Sequence, residues 1–448
     1  MSSSSYALAP VDVSAADASA AKSDPGFWVP ISLFFMIRLV MAIDTFMLGS
    51  LVTPIKESFH INDKAVGAIG FVTVIAMLIG SPLIGSIADR FPRKALIVGA
   101  LVLWSGATFS GGLAPSIGFL LACRALVGFA SGSYDPTATS WQADLFPPKW
   151  RPLFFGAIQI AGNIGCCIGF LFGGYFSQNY GWNKAFFVAG VPCLVLALAF
   201  LFLHEPHRGH ADGHGQYERP TWRDTLSLLG HARFMLYVLT IAATCSALHA
   251  VVQWAPALLH RYYGLSNRDA SYFVGLGYLV AGVPGIWVGG YTASLLRRRI
   301  PYANALQLSA ILFIGGLLQL IVFSTQDKSV ALVTLWIEMF FSSSTFGAWG
   351  AILIELVAVN LRSSAFSLQT IVSYSLGGFL ASMVIGAISD RHGLRAGLFV
   401  GPVSFFIAAA FCLALVFLER AHLRSIREVA TCVGLTECDA PLSINPAV

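Results

Sequence analysis

Charged residues are scarce in this sequence. Asp, Glu, Lys and Arg make up 11% of its 448 residues, whereas about a quarter of the residues in soluble proteins are charged. A soluble chain of this length needs many more charged side chains to cover its surface. The composition therefore excludes an ordinary cytosolic enzyme, a disordered chain and a nucleic-acid-binding protein. With 56% apolar residues and a mean hydropathy of +0.73, the chain is predicted to be a polytopic membrane protein.

Two further patterns are lacking. The eight Cys residues lie mostly inside apolar runs and do not have the loop-closing spacing of a disulfide scaffold. Residues 1–27 lack the basic start and apolar run of a signal peptide, so we expect a disordered cytosolic tail.

The histidines from His204 to His214 have no accompanying Cys and lie among Gly residues. We interpret them as part of a solvated linker rather than as a metal site.

Long apolar runs are what the sequence does contain. A helix needs about 20 mostly apolar residues to span a bilayer. Twelve such runs are present, at residues 28–52, 65–88, 95–113, 117–145, 153–176, 184–204, 231–260, 268–294, 301–323, 329–356, 365–387 and 396–419. The longest polar stretch divides them into six and six. The predicted organisation is an N-terminal bundle at 28–204, a cytosolic loop at 205–230, a C-terminal bundle at 231–419 and a cytosolic tail at 420–448.

The basic residues predict the orientation. Placing the N-terminus in the cytosol puts 17 Lys and Arg on the cytosolic side and 8 on the outer side. An excess of Lys and Arg marks cytosolic loops. We therefore expect both termini in the cytosol and the chain in the cytoplasmic (inner) membrane of the cell.

The two halves repeat each other. Gly174 and Gly181 match Gly386 and Gly393 at an offset of 212 residues. Asp144 and Arg151 match Glu355 and Arg362 at an offset of 211, and Phe59 to Ile61 match Tyr263 to Leu265 at 204. Parallel six-helix repeats with a pathway at their interface are the plan of many secondary transporters.

The loop after the second span carries a motif. It reads Gly85-Ser-Ile-Ala-Asp89-Arg90-Phe-Pro-Arg93-Lys94, which resembles the signature of the major facilitator superfamily. Pro92 stands where Gly is usual, and the copy in the second half has lost its Asp. The resemblance implies twelve transmembrane helices in two pseudo-symmetric six-helix bundles. It also implies a conformational gate, for which the candidates are Gly85, Asp89, Arg90, Arg93, Lys94, Asp144, Arg151, Glu355 and Arg362.

Residues from about 40 to 210 resemble the Spinster-type lineage. The matching pieces include Asp44, Trp104-Ser105, Arg124-x3-Gly128 and Ala143-Asp-Leu-Phe-Pro147. This lineage is associated with proton-linked movement of lysolipids, sphingoid lipids and other amphipathic compounds. A Glu expected on the fourth span is replaced by Ser131, so the proton site of the lineage does not carry over unchanged to this chain.

Ionisable residues inside a membrane are costly and are functional candidates by default. The candidates for proton coupling or solute binding are Asp44, Arg124, Asp135, Arg38 and Glu338. We hypothesise that Asp44 carries the proton and that Arg124 is its partner or a clamp for an anionic solute. Asp135 lies one turn from Ser131 and is a candidate to replace the missing Glu. Arg38 and Asp44 point to different faces of one helix, so Glu338 is the candidate partner of Arg38.

Other polar and aromatic residues are candidates to line a cavity. They are Ser131, Tyr134, Gln159, Asn163, His249, Gln253, Trp254, Gln369 and Tyr374. Polar side chains also join helices by packing, which is the commoner role for any one of them. On span five, Gly165-x3-Gly169-x3-Gly173-Gly174 is near the antiporter signature of exporters, and it also permits close helix packing.

These patterns predict a secondary transporter that moves an amphipathic or anionic organic solute by alternating access, coupled to protons. The expected partners are the solute, protons and the lipid bilayer, without nucleic acid, cofactor or metal, in a monomer. An organic-anion symporter for uptake and a drug-type proton antiporter are alternatives. A non-transporting metal or solute sensor is the alternative of another class. No motif places a nucleophile beside a base, so an enzyme is not expected.

Overall fold

The computed structural model describes residues 25–88, 91–145, 151–205, 227–297, 300, 302–357 and 361–432. Within these ranges the chain forms twelve long helices. The first six are α1 (Pro25–Phe59), α2 (Asp63–Ala88), α3 (Arg93–Gly111), α4 (Ile117–Leu145), α5 (Arg151–Asn179) and α6 (Trp182–Leu201). Ile117–Leu145 coincides with the predicted fourth span, and the other five helices differ from prediction by a few residues at one or both ends.

The second six helices follow a 3-10 turn at Leu228–Gly230. They are α7 (Ala232–Tyr263), α8 (Asn267–Arg297), α9 (Ala303–Ser324), α10 (Lys328–Leu356), α11 (Arg362–Val372, Ser373–Phe379 and Leu380–His392) and α12 (Val400–Cys432, after a short helix at Leu394–Leu398). Eleven of the described helices are long and apolar enough to cross a membrane. A π-helical turn at Ser373–Phe379 interrupts α11, which is the twelfth.

The predicted tails and central loop lie largely outside the described residues. Helix α1 begins at Pro25, and residues 1–24 and 206–226 are outside the described part. Helix α12 continues to Cys432, so the first residues of the tail expected at 420–448 are helical. The apolar count ends near residue 419, whereas a helix continues as long as its backbone hydrogen bonds are made.

The backbone shows the internal repeat that the sequence predicts. Four of the described residues have positive φ: His60 at 51°, Gly264 at 68°, Gly181 at 84° and Gly393 at 86°. They lie in the turns α1–α2, α7–α8, α5–α6 and α11–α12, so each pair occupies the same place in its half. Their separations, 204 and 212 residues, are the offsets of the sequence repeat. The two halves therefore turn the chain in the same way at equivalent positions.

Helix packing follows the same symmetry. In the first half, α1 packs on α5, α2 on α4 and α3 on α6, and the second half repeats these pairs as α7 on α11, α8 on α10 and α9 on α12. The glycines of the run on α5 lie against the backbone of α1, since a Cβ atom at Gly165 would lie 2.6 Å from the Leu39 carbonyl oxygen and one at Gly173 would lie 2.8 Å from that of Met47. Close packing is thus a structural reason for this run.

The two halves meet chiefly through the helix pairs α1 with α7, α5 with α8, and α2 with α11, and α1 also contacts α8. One buried cluster of apolar side chains includes members of both halves, among them Phe170 of α5 and Trp254 of α7. The ring of Phe170 stacks on Tyr278 of α8, with centroids 6.1 Å apart and planes 5° apart. The remaining apolar clusters lie within a single half.

Candidate functional site: polar residues between and within the halves

Polar side chains from both halves converge where α1, α4, α7 and α11 approach each other. Arg38 of α1 lies near Asp135 of α4, and both lie near the hydroxyl of Tyr374 on α11. Arg38 and Asp135 are partly exposed, and 39% of Tyr374 is exposed. We call Arg38, Asp135, Tyr374 and His249 the interhalf cluster. Unlike the deeper ionic groups described below, its members keep part of their surface exposed.

The π-helical turn of α11 positions the second-half members of this cluster. Tyr374 lies in that turn, and its ring meets the His249 ring edge-on with centroids 6.2 Å apart. A Cβ atom at Gly378, also in the turn, would lie 2.8 Å from the His249 ring. The Nδ1 of His249 makes a 2.9 Å hydrogen bond with the Cys245 carbonyl oxygen. Since that carbonyl can only accept, Nδ1 carries the hydrogen.

Asp44 and Arg124 form an ion pair inside the first half. The Arg124 guanidinium donates to both carboxylate oxygens of Asp44 at 3.3 and 3.4 Å. The indole Nε1 of Trp104 donates to Asp44 at 3.1 Å, and Arg124 lies 4.7 Å over the Phe186 ring. Asp44 is 0% and Arg124 is 1% exposed. The structure thus brings the two predicted partners together but encloses them in protein.

Glu338 is not the partner of Arg38, contrary to the expectation. It lies inside the second half, where it accepts hydrogen bonds from Gln319 at 2.9 Å and from Ser342. Arg38 instead packs against α5, since a Cβ atom at Gly162 would lie 3.5 Å from its Nε, and its acidic neighbour is Asp135. Helical spacing shows only which face a residue occupies, so it could not identify a partner on another helix.

The halves are joined at the end of the bundle that carries Asp63, which we call the Asp63 end. Arg261 of α7 donates to the Asp63 carboxylate at 2.8 and 3.0 Å, and Lys56 of α1 donates to it at 2.7 Å. Ser389 of α11 donates a further hydrogen bond to Asp63. The Asp390 carboxylate accepts from the backbone N–H of Asp63 at 2.8 Å. The first turn of α2 is thus bonded to two helices of the other half.

A neutral copy of this contact exists at the pseudo-equivalent position. Asn267 corresponds to Asp63 at the offset of 204, and Ser177 corresponds to Ser389 at 212. Asn267 Nδ2 donates to Ser177 Oγ and to the Ser50 carbonyl oxygen, both at 2.8 Å. Symmetry therefore gives two interhalf contacts at the Asp63 end, and only the one at Asp63 is ionic.

The opposite end, which we call the Arg93 end, carries the predicted gate. Arg93 pairs with Glu205 of the same half at 3.2 Å, and Glu355 pairs with Arg297 of the same half at 3.1 Å. The backbone N–H of Lys94 also donates to Glu205, at 3.3 Å. Two other gate residues, Asp89 and Arg90, lie outside the described part of the chain. The same holds for the surroundings of Gly85, Asp144, Arg151 and Arg362. The ion pairs Arg93–Glu205 and Arg297–Glu355 each lie within one half.

The remaining cavity candidates differ in burial. Trp254 is 0% exposed in the apolar cluster shared by the halves, and Gln369 is 6% exposed and accepts from Tyr237 at 3.4 Å. Both are packed side chains in this conformation. Tyr134 is 4% exposed beside Arg38. Ser131, Asn163 and Gln253 are partly exposed, and the Gln159 side chain lies outside the described residues.

Sequence reasoning missed the contacts of Asp63 and Arg261. Both lie at helix ends, where acidic and basic residues are common, so neither stood out in a search for charges inside spans. The repeat offset carried a signal, because residues 59–61 and 263–265 match immediately before Asp63 and its counterpart Asn267. Among the described residues, no three His, Cys, Asp or Glu side chains are placed to hold a metal ion.

Known proteins share this architecture. A family model described as Major Facilitator Superfamily matches residues 34–382. Protein spinster of Drosophila melanogaster is 26% identical over 384 residues, which cover 81% of this chain and 62% of that protein. The sphingosine-1-phosphate transporter SPNS2 of Mus musculus is 25% identical over 394 residues, covering 83% of this chain and 71% of that protein. The crystal structure of a bacterial homolog of the human lysosomal transporter Spinster, inward-facing and unoccupied, aligns with a TM-score of 0.77 at 20% identity, covering 88% of this chain and 97% of that chain.

Proposed function

This chain belongs to the major facilitator superfamily of membrane transporters and is Spinster-like, and we propose that it moves an amphipathic or anionic organic solute by proton-coupled alternating access. The observation that carries the proposal is the interhalf cluster. It places a cation, Arg38, beside a carboxylate, Asp135, on the side of the first half that faces α11. A partly exposed Arg beside aromatic residues suits an organic anion with an apolar body.

In the proposed cycle, the solute anion competes with Asp135 for Arg38. Without solute, the guanidinium neutralises the Asp135 carboxylate. When the solute's anionic group binds Arg38, Asp135 loses that neutralisation and takes up a proton, because an unpaired charge is costly at this depth. Solute and proton are then bound together. The Spinster relative that is described as a sphingosine-1-phosphate transporter supports a solute that is both anionic and amphipathic.

The contacts at the two ends support the proposed direction of opening. The interhalf hydrogen bonds of Asp63 close one end, whereas the pairs of Arg93 and Glu355 at the other end stay within one half. If the excess of basic residues marks the cytosol, the end that Asp63 closes is the one away from the cytosol. The aligned bacterial Spinster homolog is described as inward-facing. We propose that the closed Asp63 end faces the outside or the lumen.

The experiment is transport by the purified protein in liposomes that contain a pH-sensitive dye. A panel of lysolipids, sphingoid phosphates, fatty acids and polar organic anions is applied, and solute flux and internal pH are recorded together. We expect a member of the panel to move with protons. Arg38→Gln is expected to abolish solute-dependent proton flux, and Asp135→Asn to keep solute exchange but lose its response to a pH gradient. Lys184→Gln, at the Asp63 end and away from the interhalf cluster, is the matched control.

The outcomes separate the alternatives. Proton entry with an imported anion indicates a symporter, and proton flux in the opposite sense to the solute indicates an antiporter. If every solute of the panel fails to produce proton flux, whereas some of them raise the melting temperature, the protein is a sensor and the proposal is wrong.

A further inference from the structure

A carboxyl group with an unpaired oxygen is enclosed in the second half. Glu338, near the middle of α10, is 0% exposed. Its Oε1 accepts hydrogen bonds from Gln319 Nε2 on α9 at 2.9 Å and from Ser342 Oγ, one turn along α10. Its Oε2 is buried and accepts none, and the Oε1 of Gln319 is in the same condition. The group is therefore only half satisfied by its protein neighbours.

The carboxyl of Glu338 and the amide of Gln319 together lack hydrogen-bond donors. The Gln319 side chain uses its amide nitrogen to donate to Glu338 and to the Ala247 carbonyl oxygen, which lies 3.1 Å away. The N–H donors of this amide are thereby used, and what remains are two acceptor oxygens. A buried acceptor without a donor costs about 1–3 kcal/mol. A proton on Glu338 Oε2 removes the negative charge that makes an enclosed, unpaired carboxylate costly.

The groups around Glu338 provide no positive charge to neutralise a carboxylate. Helix α8 presents the phenol of Tyr278, α9 presents the Gln319 amide, and α7 presents the Ala247 carbonyl. No Lys, Arg or His side chain of the described residues contacts the carboxyl. An ionised carboxylate in such a place costs several kcal/mol because it is desolvated and unpaired.

The first half gives a direct comparison. Its buried carboxylate, Asp44, joins the three helices α1, α3 and α4 through Trp104 and Arg124. Glu338 joins the pseudo-equivalent helices α7, α9 and α10 through Ala247 and Gln319. Asp44 and Glu338 are thus both fully enclosed, one in each half, and of these two only Asp44 has an arginine beside it.

We propose that Glu338 is a proton-binding site of the second half and is protonated in the conformation described here. The proton lies on Oε2, so Oε1 remains the carbonyl oxygen that accepts from Gln319 and Ser342. Every hydrogen bond of the structure is kept, and no charge is enclosed. This site is separate from the interhalf cluster, and only its coupling to transport rests on the proposed function.

The proton is coupled to the conformation through α8. The π-helical turn Tyr278–Gly282 packs on α10 beside Glu338, since a Cβ atom at Gly282 would lie 3.0 Å from Ser343 Oγ. Tyr278 in this turn stacks on Phe170 of the other half. Loss of the proton leaves an unpaired charge behind this interhalf contact. Proton binding therefore favours the packed arrangement, and any conformation that admits water to Glu338 favours release.

The test is an infrared difference spectrum of the purified, full-length protein between acidic and alkaline pH. The carbonyl stretch of a protonated carboxylic acid is distinct from the bands of a carboxylate. We expect a protonated carboxyl band at neutral pH that disappears as the pH is raised, in wild type and in Glu419→Gln. Glu419 is the matched control because it is a partly exposed acid paired with Arg233 at the Arg93 end. The band is expected to be lost in Glu338→Gln, whose amide retains the shape of the neutral acid.

Three results overturn the inference. They are a wild-type spectrum without a neutral-pH carboxyl band, a band that persists in Glu338→Gln, and loss of the band when Na⁺ is added at constant pH, which indicates a sodium site instead. Each is read without a solute. If no solute is transported but the band behaves as expected, the proposed function fails and the proton site stands. With a transported solute, Glu338→Gln is expected to retain exchange and lose the pH dependence of the rate.

Discussion

Asp63 and Arg261 join the two halves of the protein through two hydrogen bonds of 2.8 and 3.0 Å. The side chain of Asp63 is 3% exposed and that of Arg261 is 22% exposed, so the pair is largely shielded from water and salt. Alternating access requires the halves to separate at each end in turn. This contact must therefore break whenever the Asp63 end opens.

Arg261→Gln is expected to open the Asp63 end more often. Loss of the guanidinium removes a charged, two-point contact that favours the closed state, so the population of the open state rises. A single reporter cysteine at Thr53, in the cavity of about 710 Å³ that Lys56, His260 and Arg261 also line, measures the change. Its labelling by a membrane-impermeant maleimide is expected to accelerate severalfold. Lys184→Gln is the control at the same end, and an unchanged rate in Arg261→Gln would contradict the gate.

Gly386→Leu is expected to keep the halves from closing. Gly386 of α11 lies against the backbone of Asp63 and Lys64, with no room for a Cβ atom. Overpacking of a tight contact costs about 1–3 kcal/mol, and separation of the halves relieves it. Labelling of the Thr53 reporter is again expected to rise. Gly99→Leu is the matched control, because nothing lies within 4 Å of a Cβ atom there; an equal response of both variants would show that the effect is not one of interhalf packing.

Asp44→Asn is expected to destabilise the first half. Arg124 would keep its charge in a fully buried site without a counter-ion, and breaking a buried ion pair from one side costs about 3–5 kcal/mol. Thermal unfolding in detergent should show a lower melting temperature. The double variant Asp44→Asn, Arg124→Leu removes both charges and should recover much of the loss. If Asp44→Asn melts as the wild type does, the pair does not hold the helices together.

The repeat and the family were open to prediction because they depend on local patterns. Apolar runs specify helices that span a bilayer. The match of Gly174 to Gly386 at a fixed offset is visible in the sequence whatever the helices contact. The loop from Gly85 to Lys94 carries its motif in consecutive residues. The helix ends were less predictable, as at Cys432, because hydropathy does not mark where backbone hydrogen bonding stops.

Partners across helices were not predictable in the same way. The prediction that Arg124 is the partner of Asp44 was correct, and both residues belong to the half that carries the motif. The prediction that Glu338 is the partner of Arg38 was wrong, because the acidic neighbour of Arg38 is Asp135. The pairs lie on helices that are far apart in sequence, and many rotations of α1 and α10 satisfy the same hydropathy. Only the packed bundle selects among them.

The amino-acid sequence by itself determined that this is a multi-pass helical membrane protein built from two repeats, because composition and periodicity do not depend on which helices are in contact. The tertiary structure decided which charges meet. In the folded protein, Asp44 is buried beside an arginine and Glu338 is buried without one. Asp135 is partly exposed, and Asp63 accepts hydrogen bonds from Arg261. The physical reason is that the cost of a charge in a membrane depends on the atoms around it, and those atoms come from helices that only folding brings together.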